Sequence, residues 1–167
     1  KEGWKIMNIQ TGGEGGYSPN KNEIDFIGDI TDLSQFEDNS IEEIYASHII
    51  EHVPQNKVKE TLKGIYRVLK DDGKFYVSVP DMDILCDLFL SKKVPKERYH
   101  IMRMMFGGQT DEYDFHYFGW NFLFLKDFLA IAGFKNIERV KTFSLFDDTS
   151  DYAPYGEPIS LNVIAHK

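Results

Sequence analysis

The sequence is poor in cysteine, in cationic side chains and in long apolar runs. A single cysteine, Cys86, excludes an internal disulfide. That suits a reducing compartment, and a cytoplasmic location is expected. No apolar stretch approaches the roughly 20 residues of a membrane-spanning helix, so no membrane partner is expected. Only 19 Lys and Arg stand against 27 Asp and Glu, a net charge of −8. Binding a phosphate backbone needs clustered cations, so a nucleic-acid partner is not expected either. The acidity needs no explanation beyond solubility. Internal repeats and low-complexity tracts are absent. The chain opens on Lys1 without a Met or a signal-like segment, as a trimmed chain or an excised domain would.

What is present suffices for a folded core. With 167 residues, 42% hydrophobic and 14% aromatic, the chain is expected to form one domain over 1–167. Trp4–Ile9 is a short apolar run and a predicted buried strand. A Gly-, Asn- and Pro-rich loop covers 10–23, and Ile24–Ile27 is a second short strand. Asp38-Asn39-Ser40 marks a turn before a strand at Ile41–Ala46. Pro54 suits the first turn of a helix, and Val58, Leu62, Ile65 and Leu69 recur at helical spacing behind it. Asp71-Asp72-Gly73 ends that pattern, and Phe75–Val79 is strongly β-prone.

Residues 81–106 read as two helical pieces broken near Lys92–Pro95, and Gly107–Gly119 as a polar, aromatic loop. Asn121 can cap a helix carrying Phe122, Leu125, Phe128, Leu129 and Ala132, with Gly133 as its stop. Asn136–Val140 and Leu161–Ala165 are the last two strands. The alternation of strands and helices predicts an α/β fold. Its sheet is expected to be mostly parallel, with an antiparallel C-terminal edge strand, in three α/β/α layers. Ligands of such sheets bind at the carboxyl ends of the strands, here Gly28-Asp29, Ser47-His48 and Pro80-Asp81.

Three stretches, GDITDLSQFEDNSIEEIYASHIIEHV, RVLKDDGKFYVSVPD and LKDFLAIAGFKNIERV, resemble the class I S-adenosylmethionine-dependent methyltransferases, in the branch with an H-x-x-E-H box. The resemblance implies a Rossmann-like sheet, S-adenosylmethionine as cofactor and S-adenosylhomocysteine as product. It places Asn8, Gln10, Gly12 and Gly13 at the methionine end of the cofactor. Asp29 would accept from the adenine amino group, with Ile30 stacking nearby. Ser47 and His48 would face the methionine part and the transferable methyl, and Glu51 and His52 complete the box. Residues 84–120 would form a substrate or cover insertion, and the acceptor would be a small or sugar-like molecule. His116, amid Asp111, Glu112, Tyr113, Asp114, Tyr117 and Trp120, would be the catalytic base or acceptor anchor, with His48 near the methyl.

Departures from the family pattern cluster early. Asn8 replaces the usual acidic residue, and Gln10 and Glu14 stand where glycines are usual. The second strand of the sheet, with the carboxylate that grips the ribose, has no clear match; Glu23 or Asp25 are the substitutes at hand. Losing a charge-assisted contact of that kind costs roughly 2–3 kcal/mol. A catalytically degenerate domain kept for binding or assembly is therefore a second reading. A third takes His48-Ile49-Ile50-Glu51-His52 as an inverted zinc-hydrolase motif. Pro54 leaves that box little helix to sit on, and no metal ligands are expected. Cys86 is read as a core thiol on the apolar face of Ile84, Leu85, Leu88 and Phe89.

Overall fold

The computed structural model of the chain describes residues 2–9 and 24–167. Gln10, Gly12, Gly13, Glu14 and Glu23 lie outside the described residues. Two very short strands come first, β1 (Met7–Asn8) and β2 (Phe26–Ile27), paired in parallel with Met7 opposite Phe26. They are shorter than the apolar runs suggest. Asp25 turns its carboxylate onto the Ile6 N–H at 2.8 Å, and Ile6 and Ile9 stay exposed. Asp25 is thereby occupied in bracing β1.

The main sheet has four strands. β3 (Ile41–Ser47) and β4 (Leu69–Pro80) are parallel, and β6 (Ser160–His166) runs antiparallel to β4. β5 (Lys135–Val140) pairs antiparallel with β6, giving the order β3-β4-β6-β5. The C-terminal strand β6 alone runs against β3, β4 and β5, and it lies between β4 and the outermost strand β5. β4 is buried along Phe75–Pro80, which explains its unbroken apolar character.

Two helices cover one face. α1 (Val58–Val68) buries Val58, Leu62, Ile65 and Val68, and α4 (Phe122–Ala132) buries Leu125, Leu129 and Ala132. They join Phe75, Val77, Val79, Leu161, Val163 and Ala165 in one core. Leu69 belongs to that core but starts β4, so the helical stripe ends one residue earlier than its spacing suggests. Asn121 caps α4 by accepting from the Phe124 N–H at 3.0 Å. Gly133 ends it at φ 115°, a left-handed conformation that glycine adopts without penalty.

On the other face Tyr45 packs against Trp4, Phe143 and Phe146, and Tyr76 against Phe143. Among the described residues that cover is looped rather than helical. α2 (Met82–Ser91) and α3 (Pro95–Phe106) break where expected. With Ile159 they enclose a small second core of Leu85, Leu88 and Ile101. Cys86 departs from expectation and is exposed. The buried α2 positions are Leu85 and Leu88, and Cys86 follows Leu85 round the helix away from them.

Candidate functional site

A cavity of about 1020 Å³ runs beside β1 and β2 along the length of β3, from Ser40–Glu43 at its start to His48 past its end. That is at the upper end of the ~300–1,000 Å³ range of small-molecule sites. Its wall includes Asn8, Gly28, Asp29 and Ile30 on one side and Ile44, Tyr45, His48 and His52 on the other. Glu112, Tyr113 and Tyr117 of the 107–119 loop complete it. Its Asp29 and His48 end lies past β2 and β3, where the carboxyl ends of parallel strands leave a crevice.

Asp29 sits in a tight turn after β2. Its Oδ1 accepts the Thr31 N–H at 2.8 Å and its carbonyl the Asp32 N–H at 2.9 Å. Among the described residues Oδ2 accepts no hydrogen bond. Ile30 is half-buried against the core, so one side of the cavity is apolar. The Asn8 side-chain Oδ1 accepts the Ile9 N–H at 2.8 Å. Ser47, expected beside the cofactor, instead faces Thr149, hydroxyl to hydroxyl at 3.4 Å.

His48 stands directly after β3 at φ 52°. A non-glycine residue in the left-handed region is uncommon, and such conformations concentrate at functional sites. Its backbone N–H donates to the Ser78 carbonyl at 2.8 Å, and its Nε2 lies 2.9 Å from the Ser160 hydroxyl. Residues Ile50–His52 form one short 3-10 turn. His48 and His52 therefore do not present a common helical face, and the inverted zinc-hydrolase pairing is not formed.

Glu51 lies in that short turn. Its backbone carbonyl does accept the Tyr117 N–H at 2.8 Å, but its carboxylate is 1% exposed and neither oxygen has a hydrogen bond. The His48 Nδ1 lies 3.3 Å from Glu51 Oε1, a charge contact without hydrogen-bond geometry. His52 Nδ1 is likewise buried without a partner. His116 packs edge-on against His52, ring centroids 4.7 Å apart. The wall of the cavity is therefore met by His52, with His116 behind it. Glu51, His52 and His116 each offer one ligand atom within 4.8 Å of the others. This convergence escapes the sequence because His116 is remote along the chain. The only signal was a histidine placed in a loop dense with carboxylates and aromatics.

Burial pushes the His116 imidazole below its ordinary pKa, against the pull of the Glu51 carboxylate and with the repulsion of His52 and His48. Asp114 is fixed in the same loop. Burial alone would raise its pKa, but donors win and hold it below the carboxylate range: the Thr110 hydroxyl at 2.9 Å, then the Thr110 and Gly108 N–H groups. Asp114 is a brace for the loop. Gly107 makes the return possible, since at φ 82° a Cβ there would lie 2.2 Å from the Asp114 carbonyl oxygen.

Residues 15–77 match a family model described as a methyltransferase domain. No curated protein matches the sequence. Among solved structures, an S-adenosylmethionine-dependent methyltransferase from Thermotoga maritima is similar at TM-score 0.58 and 20% identity, over 88% of this chain and 66% of that one. One from Archaeoglobus fulgidus is similar at 0.55 and 14%, over 88% and 69%. The 1,6-didemethyltoxoflavin-N1-methyltransferase of Burkholderia thailandensis, solved with 1,6-didemethyltoxoflavin and S-adenosylhomocysteine, is similar at 0.53 and 15%, over 87% and 51%. A Bordetella parapertussis structure is covered over only 45% of its length. The chain thus spans part of these structures and shares their fold.

Proposed function

From a chain that has the class I S-adenosylmethionine-dependent methyltransferase fold and carries the methyltransferase-domain segment at 15–77, we propose methyl transfer from S-adenosylmethionine to a small or sugar-like acceptor. The observation that carries the reading is the single cavity joining Asp29 to His48 across the strand ends. Its residues fit the cofactor in kind: a carboxylate oxygen free to accept, an apolar wall at Ile30, and polar groups toward Asn8 and His48. When bound, the cofactor supplies an electrophilic methyl group on a sulfonium.

The chain's own residues then bind, orient and exclude water. Asp29 would accept from the adenine amino group, and Ile30 would pack on its ring. Asn8 and His48 would hold the methionine end. The acceptor enters along Glu112, Tyr113 and Tyr117, and is anchored by His52 with His116 behind it. Rate enhancement comes mainly from alignment of acceptor and methyl.

Calorimetric titration with S-adenosylmethionine tests this. Binding is expected, and Asp29→Ala weakens it about 10-fold, the equivalent of ~1.4 kcal/mol for one lost hydrogen bond to a charged group. No heat and no thermal stabilisation at roughly millimolar cofactor overturns it. A second reading, a domain that binds but does not transfer, is favoured by Asp25: its carboxylate is committed to the Ile6 N–H. Binding of the cofactor without methyl transfer to any acceptor in a small-molecule panel would select it.

A further inference from the structure

We propose that Glu51, His52 and His116 bind one divalent transition-metal ion of the zinc type at the edge of the cavity. The motive is a carboxylate in an untenable position. Glu51 is 1% exposed, and both its oxygens lack hydrogen-bond donors. A buried carboxylate left in that state is costly unless a cation or a proton answers it. No Lys or Arg does so among the described residues: their ion pairs involve Asp38, Glu42 and Asp81 instead, and beside Glu51 stands only the His48 Nδ1, 3.3 Å from Oε1 without hydrogen-bond geometry.

What surrounds Glu51 is imidazole. His52 brings a buried Nδ1 without a partner, and His116 brings a second ring, with one ligand atom of each residue within 4.8 Å of the others. Two imidazoles and one carboxylate are a recurrent three-ligand set for catalytic zinc, which leaves a further position for water or substrate. The same set serves iron. Glu51 and His52 sit on one short turn, and His116 comes from the loop that Gly107 and Asp114 fold back. Two independent segments thus converge on one point. His48 lies beside the set and not in it: its Nδ1 is 3.3 Å from Glu51 Oε1, but the ligand atoms that converge are those of Glu51, His52 and His116. Because His52 lies on the cavity wall, an ion held there borders the space assigned to the acceptor. It would anchor an acceptor oxygen where the histidines alone offer only a hydrogen bond.

The test uses the chain after chelator treatment, titrated with Co²⁺ and followed by its visible absorption, then with Zn²⁺ in competition. One equivalent of Co²⁺ is expected, displaced by Zn²⁺. Glu51→Gln and His116→Asn should each weaken binding by about 10- to 100-fold or more. His100→Asn, outside the set and bonded to Tyr155, should leave it unchanged. No uptake, or an affinity unaltered in both ligand variants, overturns the proposal. If Glu51→Gln fails to fold by circular dichroism, His116→Asn on the loop decides. The readout is metal uptake by cofactor-free protein, so its failure and that of the methyl-transfer reading are distinguishable.

Discussion

Tyr45 donates its hydroxyl hydrogen to Asp148 Oδ2 at 2.7 Å, and Tyr76 donates to Glu43 Oε1 at 2.9 Å. Losing that proton would set a phenolate against a carboxylate on the aromatic face of the sheet. Burial first, then the neighbouring anion, pushes both hydroxyls from the ordinary 10 up to about 12. The folded chain therefore keeps protons that the unfolded chain releases. The stability this represents is fully present below about pH 10 and is lost as pH rises from there through about 12. A phenolate absorbance titration should show a late component, and Tyr45→Phe should diminish it while flattening the alkaline loss of stability. A single transition for all tyrosines in the ordinary range would contradict the packing described for this face.

At the scale of elements, α4 was legible almost residue by residue, because its signals are local. Asn121 caps it, the buried positions recur at helical spacing, and Gly133 ends it. Asn121 also donates to Asp83 Oδ1 at 3.2 Å, tying the start of α4 to the first turn of α2. Asn121→Ala should cost about 1–2 kcal/mol, seen as a lower urea midpoint with unchanged slope. Gly133→Ala should cost about 1 kcal/mol or more. It forces an L side chain to φ 115° and sets a Cβ 3.0 Å from the Tyr66 ring. What was illegible at this scale is non-local. The insertion of β6 between β4 and β5 depends on strand order, and the triangle of Glu51, His52 and His116 on a loop closing over a turn. The exposure of Cys86 turns on one step around a helix whose neighbours are all apolar. Of the expected cofactor positions in the described residues, Asn8, Asp29, Ile30 and His48 meet at one cavity because they follow strand ends. Ser47 misses it because its hydroxyl faces Thr149.

For the whole molecule the telling residue is Trp120, which the sequence placed only at the margin of a polar loop. It is fully buried, stacks on Phe118 at 4.1 Å and meets Phe128 edge-on. Its carbonyl accepts the Met82 N–H at 2.7 Å, and it bridges to Asp81 at the end of β4. Trp120 thus joins the main core, the start of α2 and the end of the loop that carries His116. Its indole Nε1 is buried without an acceptor, so part of its burial is a desolvation cost. Trp120→Ala leaves a large void at this junction and should cost about 3–5 kcal/mol. Trp120→Phe removes the unpaired donor along with some volume, and should cost less than half as much. Denaturant unfolding of the two variants gives both numbers. Equal losses would show that the indole N–H has a partner in solution. Because the same residue seats the 107–119 loop, Trp120→Ala should also weaken Co²⁺ uptake at Glu51, His52 and His116, whereas Asn121→Ala should cost stability without that loss.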